Sequence, residues 1–415
     1  MLLMLLVVSI FAGCLMVQPY YERDGITIYN CDCREVGGLL SAGSVDSIVT
    51  DPPYGLSFMG KEWDHGVPGE AFWSTFSGVC KPGAMCLAFG GTRKFHRLAC
   101  AIEDAGWEIR DCIQWLYGSG FPKSLDISKA IDKAAGAERD RVAVGCAVKR
   151  MIPGADQDRT GSWIKDNGRT YQPGIEIPST EAAKLWDGWG TALKPAWEPI
   201  IVAMKPLDGT FAQNALKHGV AGLNIDGCRV ETDPSVDDPR LGGAGTWSSE
   251  KMAKNVYEGG YAGDRVGSSQ LGRFPANVIH DGSDEVLAGF PQTKSGTLTP
   301  DMNIKASTGW AGGSQADRVK SSFSANSGSA ARFFYCAKAS KKDRGEDNTH
   351  PTVKPSSLME YLLQLASTPT GGLVLDPFMG SGSTIVAAKA LGRKAIGIEI
   401  NKEYCDIAIQ RLTGN

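Results

Sequence analysis

The sequence of 415 residues has little of what builds metal centres and disulfide frameworks. Its 11 cysteines are scattered without a pair of Cys-x-x-Cys units, and its five histidines are dispersed along the chain. Structural zinc sites and disulfide-rich secreted folds need closer spacings, so we expect no metal site and a reducing compartment. A Gly-Lys-Ser or Gly-Lys-Thr triplet is also missing, which argues against a P-loop and against the triphosphate-binding classes that use one.

One long apolar run without charge is present, residues 1–17. No basic residue precedes it, as a signal peptide would need, and its length is marginal for a spanning helix. The segment Ile10-Phe11-Ala12-Gly13-Cys14 is similar to a lipoprotein cleavage box, so a membrane anchor or lipoprotein is one alternative. The simpler interpretation is that Met16 is the natural start and that the preceding residues are translated upstream sequence. We therefore expect no stable membrane association.

The tetrapeptide Asp51-Pro52-Pro53-Tyr54 follows an apolar run over 45–50 that predicts a short buried strand. Two consecutive prolines must end this strand, because neither can donate to a ladder and the first restricts the residue before it. The turn therefore lies at a strand's carboxyl end, where open α/β sheets bind ligands. A carboxylate, proline carbonyls and a flat ring suit a planar base with an exocyclic NH2 group. Taken alone, the tetrapeptide fits a rigid turn with a surface tyrosine equally well.

A glycine-rich segment follows another apolar run near the C-terminus. Residues 373–375 predict a buried strand, 376–382 a turn and 383–391 a helix. Glycines in such a turn let backbone N–H groups and a helix N-terminus approach a ligand closely. The next predicted strand, 395–400, has Glu399 near its end, where a carboxylate can hold ribose hydroxyls. The unit predicts a site for a nucleoside-containing cofactor, although the third glycine of the dinucleotide fingerprint is missing.

These segments together resemble the S-adenosylmethionine-dependent DNA amino-methyltransferases. The resemblance covers two blocks, 26–135 and 330–412. Within them, the tetrapeptide at 51–54 resembles the catalytic motif of the family, and 376–384 resembles its cofactor loop. The catalytic motif comes first and the cofactor loop last, which is the β-type circular order of that family.

The resemblance implies a set of residues that bind S-adenosylmethionine. The segment 30–33 resembles the strand end whose acid lies near the adenine ring of the cofactor, and 350–355 is similar to the segment that helps hold the methionine end. The implied cofactor-binding residues are Asp32, His350, Thr352, Lys354, Asp376, Phe378, Gly380, Gly382, Ser383, Thr384 and Glu399.

The resemblance also implies a mechanism for the catalytic residues Asp51, Pro52, Pro53 and Tyr54. A flipped base would stack on Tyr54 while Asp51 and the Pro52 carbonyl accept its amino hydrogens, so that positioning and charge placement supply the rate. A C5-cytosine methyltransferase would need a nucleophilic cysteine, commonly after a proline, and the chain has no Pro-Cys pair. Methyltransferases of glutamine or ribosomal proteins more usually have Asn at position 51, so Asp51 favours DNA.

Contacts with DNA are predicted in two places. Because the formal net charge is −3, DNA affinity must come from local patches. The glycine-rich loop 117–123 presents Phe121 and Lys123, which could flank the base or a phosphate, although a loop packed by Phe121 is an equal alternative. Basic residues also outnumber acidic ones over 301–344, where any single one could instead belong to a solvated face. The candidates there are Arg332, Lys338, Lys341 and Lys342.

Helices and strands alternate after the catalytic turn, with helices predicted at 70–79 and 94–105 and strands at 84–89 and near 109–115. This rhythm predicts a doubly wound, mostly parallel α/β sheet. The resemblance adds that the sheet is seven-stranded and Rossmann-like. An apolar run at 198–204 predicts a further strand that returns to this sheet.

We expect four regions along the chain. They are the leader 1–17, the catalytic half 18–135, an inserted loop-rich target-recognition region 136–345 and the S-adenosylmethionine-binding half 346–415. The inserted region is rich in Gly, Ser, Asp and turn residues, which favours loops that order on DNA.

Our interpretation of the sequence is a site-specific methyltransferase that acts on N6 of a flipped adenine in double-stranded DNA. The alternatives are N4-methylation of cytosine, whose motif more often begins with Ser, and an inactive DNA-binding homologue. Intact Asp51, Tyr54, Gly380 and Gly382 argue against the inactive homologue. The expected setting is the cytoplasm, with a monomer or homodimer and a cognate restriction endonuclease as a partner.

Overall fold

The structure is a computed structural model. It describes the residues 18–56, 66–120, 122, 124–146, 148–149, 156–157, 163–164, 170–231, 272–294, 327–338, 343, 348–350 and 353–414. The chain divides into two compact units, one within 1–119 and 196–415 and the other within 120–195. The leader 1–17 lies outside the described residues.

The larger unit is built on one sheet, which has ten strands among the described residues. Labelled in chain order, they are β1 (Tyr21–Arg23), β2 (Ile26–Tyr29), β3 (Val45–Thr50), β4 (Cys80–Phe89), β5 (Glu108–Leu116), β6 (Trp197–Met204), β7 (Val278–His280), β8 (Tyr335–Cys336), β9 (Val374–Asp376) and β10 (Ala395–Ile398).

The strands lie in the order β1-β2-β10-β9-β3-β4-β6-β5-β7-β8. Neighbours pair in parallel except β1 with β2, and β6 with both β4 and β5, which pair antiparallel. The carboxyl ends of the parallel strands therefore share one edge of the sheet, and the first residues of antiparallel β6 lie at that same edge. β6 occupies the run for which the sequence predicted a returning strand.

The mostly parallel α/β sheet confirms the predicted fold class, but the sheet is wider than the seven strands expected. The seven strands from β2 to β5 in the sheet order form its centre, β1 extends one side, and β7 and β8 extend the other. β7 and β8 have only three and two residues. Such short segments show no periodic pattern, so only pairing with β5 and with each other makes them strands.

Helices cover both faces of this sheet. They are α1 (Val36–Leu39), α2 (Glu70–Val79), α3 (Phe95–Asp104), α4 (Phe211–His218), α5 (Asp284–Gly289), α6 (Ser356–Leu365), α7 (Ser383–Ala390) and α8 (Lys402–Thr413). In the part of the chain that the structure describes, no helix has the length and apolar character needed to cross a bilayer.

The core consists of two apolar layers separated by the sheet. Alternate residues of β3 point to opposite faces, so Val49 packs with the layer that includes α6, α7 and α8, whereas Ile48 packs with the layer under α2 and α3. The large side chains of Trp73, Phe89 and Trp107 are at most 2% exposed. Burial on both faces explains why the central strands read as nearly continuous apolar runs.

Strand β4 begins before the strand predicted at 84–89. Cys80 already pairs with Val45, and the next pair on this ladder is Met85 with Ser47, so the intervening residues form an irregularity within the strand. Gly83 has φ +78°, and a Cβ there would lie 2.5 Å from Nδ2 of Asn214. Gly83 therefore belongs to a bulge against which Asn214 of α4 packs closely.

The described residues of the smaller unit include two helices, Ile127–Ala134 and Glu181–Leu185, and short antiparallel pairs such as Arg141–Ala143 with Gly174–Glu176. Its centre is polar: the buried Asp132 carboxylate accepts hydrogen bonds from the backbone N–H groups of 179 and 180 and from the guanidinium of Arg139. A target-recognition role for 136–345, and those boundaries, remain predictions.

Candidate active site at the carboxyl edge of the sheet

The two segments singled out by the sequence lie beside each other at the carboxyl edge of the sheet. β3 leads into Asp51 and its parallel neighbour β9 ends at Asp376, with Leu375 opposite Ile48. The Thr50 hydroxyl, one residue before the tetrapeptide, donates to Oδ1 of Asp376 at 2.6 Å. Through Thr50, the strand end that leads into the turn 51–54 is thus joined to the glycine-rich loop by a direct hydrogen bond.

Four side chains form a compact polar cluster at this edge: Asp51, Tyr54, Glu198 and Lys354. The Tyr54 hydroxyl lies 2.8 Å from Oδ1 of Asp51 and 3.1 Å from Oε2 of Glu198, so it can donate to either carboxylate. The Lys354 ammonium contacts Oδ2 of Asp51 at 2.8 Å and Oε2 of Glu198 at 3.2 Å. It also donates to the Tyr54 hydroxyl at 3.1 Å. Two carboxylates therefore share one ammonium and one phenol.

The charges of the cluster explain its protonation. Burial lowers the pKa of Lys354, but Asp51 and Glu198 outweigh burial and raise this pKa above its ordinary value. Burial and the same two carboxylates raise the pKa of Tyr54 well above its ordinary value. Lys354 is therefore an ammonium and Tyr54 a neutral phenol at physiological pH, and neither can serve as a base.

Lys354 had been predicted to contact the methionine end of the cofactor. Its ammonium instead lies on the catalytic turn, over the rings of Phe89 and Tyr54 at 4.8 and 5.3 Å from their centroids. These contacts and the two ion pairs account for an almost fully buried side chain. The cofactor role of Lys354 remains a prediction.

Glu198 is the residue of this cluster that the sequence did not single out. It is the second residue of β6 and is only 19% exposed. Because β6 is antiparallel to its neighbours, its beginning lies at the edge where β3 ends. Glu198 also raises the pKa of the half-buried Tyr117, after the larger effect of burial, to about 12.

The remaining residues of the tetrapeptide fix the turn. Pro52 is buried and Pro53 is partly buried, and the following Gly55 has φ +66° with a Cβ position 3.0 Å from the backbone of Gly66. Asp51 itself is 24% exposed. The carboxylate is therefore held rigidly and remains accessible to a ligand on one side.

The glycine-rich loop 376–382, the predicted cofactor loop, has two glycines that other residues could not replace without strain. Gly380 has φ +55° and Gly382 has φ +83°, both in the left-handed region. A Cβ on Gly380 would lie 3.0 Å from Nε2 of His350, and one on Gly382 would lie 2.7 Å from the Cβ of Ala408. The loop is therefore a close-packed backbone cradle that leads into the N-terminus of α7, the geometry that suits a nucleoside cofactor.

Glu399 follows β10 directly and orders this cradle. Its Oε2 accepts from the Gly380 backbone N–H at 2.9 Å, and its Oε1 accepts from the Asn401 N–H at 2.7 Å. Burial raises the pKa of Glu399, and the two backbone donors partly offset the rise. Each carboxylate oxygen retains a lone pair, so the predicted contact with ribose hydroxyls is compatible with these bonds.

Asp376 is a structural centre of the loop. It is 1% exposed, and its Oδ1 accepts from the Thr50 hydroxyl and, at 3.1 Å, from the Phe378 N–H. Burial raises its pKa to about 6, against hydrogen bonds from Thr384, Thr50 and Phe378 that lower it. Ser383 lies at the loop's exit, where its hydroxyl accepts from the Arg411 guanidinium at 3.3 Å.

His350 lies against the glycine-rich loop, where a Cβ on Gly380 would approach its ring, and its predicted contact with the methionine end of the cofactor remains a prediction. Its ring packs on Tyr404 with centroids 4.6 Å apart, and the backbone N–H of His350 donates to Oδ1 of Asn348. Asn348 in turn donates to the Ser381 hydroxyl at 3.1 Å. This segment therefore supports the loop through hydrogen bonds and packing.

Asp32 lies just beyond β2 and forms hydrogen bonds with the Arg34 side chain and backbone N–H. The hydrogen bond from the Arg34 side chain holds the pKa of Asp32 below its usual range. The Arg34 guanidinium lies over the Phe72 ring, and Phe72 is 6.1 Å from the Phe378 ring of the cofactor loop. Asp32 and the loop thus flank one aromatic cluster.

The predicted DNA contacts are less completely placed. Arg332 lies in a short 3-10 helix, with one guanidinium nitrogen bound to the Ser329 carbonyl and the Thr293 hydroxyl, and Lys338 is exposed. Phe121, Lys123, Lys341 and Lys342 lie outside the described residues, as does the cofactor candidate Thr352. The DNA-binding roles of all six predicted residues remain predictions.

Comparison with known proteins identifies relatives of this chain. The sequence profile of a family described as DNA methylase, with N6 and N4 specificity, matches residues 45–410. The type II methyltransferase M2.DpnII of Streptococcus pneumoniae is 46% identical over 87 residues, which is 21% of this chain and 32% of that protein. The type II methyltransferase M.ScaI of Streptomyces caespitosus is 43% identical over 72 residues, 17% of this chain and 23% of that protein. The matched segments thus span about a third or less of these curated relatives.

Solved structures give more distant matches. The crystal structure of an M1.HpyAVI–SAM complex aligns with a TM-score of 0.37 at 16% identity, over 93% of this chain and 99% of the other. The cytosine-N4-specific PvuII DNA methyltransferase aligns with a TM-score of 0.38 at 13% identity, over 96% of each chain.

Proposed function

Because the chain belongs to the N6/N4 family of S-adenosylmethionine-dependent DNA methyltransferases, we propose that it methylates the exocyclic N6 of adenine in double-stranded DNA. The observation behind this proposal is the joined pair of segments at the carboxyl edge of the sheet. A rigid carboxylate turn, 51–54, lies beside a backbone cradle, 376–382, and Thr50 and Asp376 link the two.

The residues present fit S-adenosylmethionine. Gly380 and Gly382 give the loop a left-handed backbone that other residues would strain, and the Glu399 carboxylate lies at the loop, bonded to the Gly380 N–H. S-adenosylmethionine supplies an electrophilic methyl group on a positively charged sulfur. Asp376, Glu399 and the supporting His350 hold the loop in shape for such a ligand.

The catalytic turn acts on the target amino group by positioning it. Asp51 and the Pro52 carbonyl accept the two amino hydrogens, and the Tyr54 ring gives the base a face on which to stack. These hydrogen bonds draw the nitrogen lone pair out of conjugation with the ring, so that the nitrogen can attack the methyl carbon. S-adenosylmethionine held in the cradle would supply the methyl group and keep the electron pair of the carbon–sulfur bond on sulfur, and the surplus proton of the nitrogen would pass to the Asp51 carboxylate that accepts its hydrogen. Oriented groups of this kind supply most of the rate enhancement in such transfers.

Asp51 favours adenine as the target base, since the tetrapeptide of the N4-cytosine enzymes more often begins with Ser. Both bases present the same NH2 geometry to the turn, so N4-methylation of cytosine is the alternative outcome of the experiment below. We further propose the cytoplasm as the site of action and a restriction endonuclease as a partner, since the relatives are type II methyltransferases.

The direct test is a map of modified bases. The full chain is expressed in a host that lacks DNA methyltransferases, and the genomic DNA is sequenced with base modifications called. We expect N6-methyladenine within one short sequence motif. Detection of N4-methylcytosine would show that the target base is cytosine. DNA without any new modification would contradict the proposal.

The role of Asp51 can be tested separately. Asp51→Ala removes the acceptor of the target amino group, so we expect methyl transfer to fall by about 10²–10³-fold, the usual loss for one preorganised polar contact. Binding of S-adenosylmethionine, measured by calorimetry, should change little because Asp51 is outside the cradle. Asp104→Ala, an exposed aspartate at the end of α3, is the matched control. Undiminished methylation by Asp51→Ala would remove Asp51 from the mechanism.

A further inference from the structure

We infer that Glu198 and Lys354 form a positioning pair that sets how strongly Asp51 accepts the hydrogens of the target amino group. The inference rests on the proposed function and extends it to two residues, one of which no sequence motif contains. The geometry points to it because a single ammonium lies between the two carboxylates, at 2.8 Å from Asp51 and 3.2 Å from Glu198.

The shared ammonium solves a conflict at Asp51. An ammonium bound to Asp51 alone would neutralise the carboxylate and compete with the target amino group for its oxygens. Without any cation, Asp51 and Glu198 would be two carboxylates near each other, and one of them would tend to bind a proton. With both partners present, one ammonium is divided between two carboxylate acceptors, so it neutralises neither of them alone.

Stability alone does not account for this arrangement. Lys354 is 8% exposed, and moving an ammonium out of water has a cost that a buried ion pair rarely recovers in full. An apolar residue among Phe89 and Tyr54 would pack there without that cost. A buried charge at the edge of a proposed active site is the pattern found where protonation is controlled.

Other ionisable groups also face the cluster and must enter any interpretation of its pH dependence. The Tyr54 hydroxyl contacts both carboxylates, Tyr117 at the end of β5 faces Glu198, and the buried Asp376 on β9 senses the Asp51 charge. Both tyrosines are neutral at physiological pH, so Lys354 is the cation that these contacts place on Asp51.

The inference makes opposite predictions for the two partners. Glu198→Gln leaves Asp51 with the ammonium alone, so a proton binds Asp51 less tightly and the acid limb of the methylation rate moves to lower pH. Lys354→Met leaves Asp51 beside Glu198 without the cation, so the acid limb moves to higher pH. Each displacement should be about one pH unit or more, as for charges at this separation. The double variant should return the limb towards that of the wild type.

The experiment measures single-turnover methyl transfer from tritiated S-adenosylmethionine to unmodified genomic DNA between pH 3.5 and 9, with the full chain, so that the window includes the range in which a carboxyl group titrates. The plateau rate of Glu198→Gln should also be about tenfold lower, because the Lys354 ammonium then weakens Asp51 as a hydrogen-bond acceptor. The affinity for the cofactor should stay within about twofold. The matched control is Glu108→Gln: Glu108 begins β5 at the opposite edge of the sheet and is exposed. Its profile should match that of the wild type.

The inference would be overturned if the acid limbs of the two variants moved in the same direction. It would also be overturned if both variants were slower but their acid limbs stayed at the wild-type pH, which would leave the pair a structural role. A second readout needs no turnover: ¹³C NMR titration of carboxyl-labelled aspartate, with the Asp51 signal assigned from Asp51→Asn, should show the same opposite displacements. A wild-type protein that modifies no base overturns the proposed function, and the acceptor role with it. The titration then still decides whether Glu198 and Lys354 control the charge on Asp51.

Discussion

The buried carboxyl of Asp376 at the end of β9 is expected to lower the free energy of unfolding when it ionises. Burial raises the pKa of this carboxyl from 3.8 to about 6, and hydrogen bonds from Thr384, Thr50 and Phe378 offset only part of that rise. Because the folded protein then binds the proton more tightly than the unfolded chain, ionisation of Asp376 destabilises the fold. The penalty is absent below about pH 4, grows between about pH 4 and 6, and is complete above that range.

The size of this penalty follows from the shift. About two pKa units correspond to about 3 kcal/mol at neutral pH. Asp376→Asn removes the charge and keeps an oxygen that can accept from Thr50 and Phe378. The amide loses the extra strength of hydrogen bonds to a charged acceptor, so we expect a gain of about 1–3 kcal/mol in unfolding free energy at pH 8 and almost none at pH 4.

Urea unfolding of the cofactor-free protein at several pH values between 4 and 8 measures this difference. The free energy of unfolding of Asp376→Asn should rise above that of the wild type as the pH increases from about 4 to 6, and the difference should stay constant at higher pH. Asp104→Asn, on the exposed end of α3, should run parallel to the wild type. A difference that stays constant with pH, or a variant that is less stable at pH 8, would refute the assignment of a buried, unfavourable charge to Asp376.

Two further predictions concern the glycine-rich loop and the hydrogen bond that joins it to β3. Gly382→Ala should lower the free energy of unfolding by about 2–4 kcal/mol, because a left-handed residue is strained and its Cβ would meet Ala408 at 2.7 Å. Gly392→Ala, with φ +66° and no atom within 4 Å, should lose only about 1 kcal/mol; equal losses in urea unfolding would disprove the clash. Thr50→Val should cost about 1–3 kcal/mol by removing a buried donor to Asp376. Thr50→Ser should keep most of that stability, and a serine variant as unstable as the valine one would contradict the hydrogen bond.

Local chemistry explains which parts of the fold could be predicted. The strand at 45–50 and the helix at 70–79 occupy the predicted residues, because Pro52 ends the first and Gly69 precedes the second. Helix α8 begins after Asn401, a residue type favoured as an N-cap, whose side chain accepts from the Glu403 N–H. In each case the signal lies within a few residues of the boundary that it fixes.

Pairing over long distances explains what could not be predicted. β7 pairs in parallel with β5 from more than 160 residues away and contains only three residues. Its neighbours in sequence are glycine-rich, so composition predicted loops there. Long-range pairing also explains why the start of β4 was not predicted. Lys81-Pro82-Gly83 favours a turn locally, but the ladder with β3 accommodates these residues as a bulge within the strand.

Glu198 shows how strand direction decides function. The apolar run after it predicted a strand, but periodicity does not tell whether that strand is parallel to its neighbours. In a parallel orientation its first residues would lie at the amino edge, far from Asp51. The antiparallel pairing of β6 with β4 and β5 brings Glu198 to the carboxyl edge instead, where Lys354 can lie between it and Asp51. A lone acid at the start of an apolar strand therefore indicates a site residue only once the direction of that strand is known, and the opposite pH displacements expected for Glu198→Gln and Lys354→Met follow from that direction.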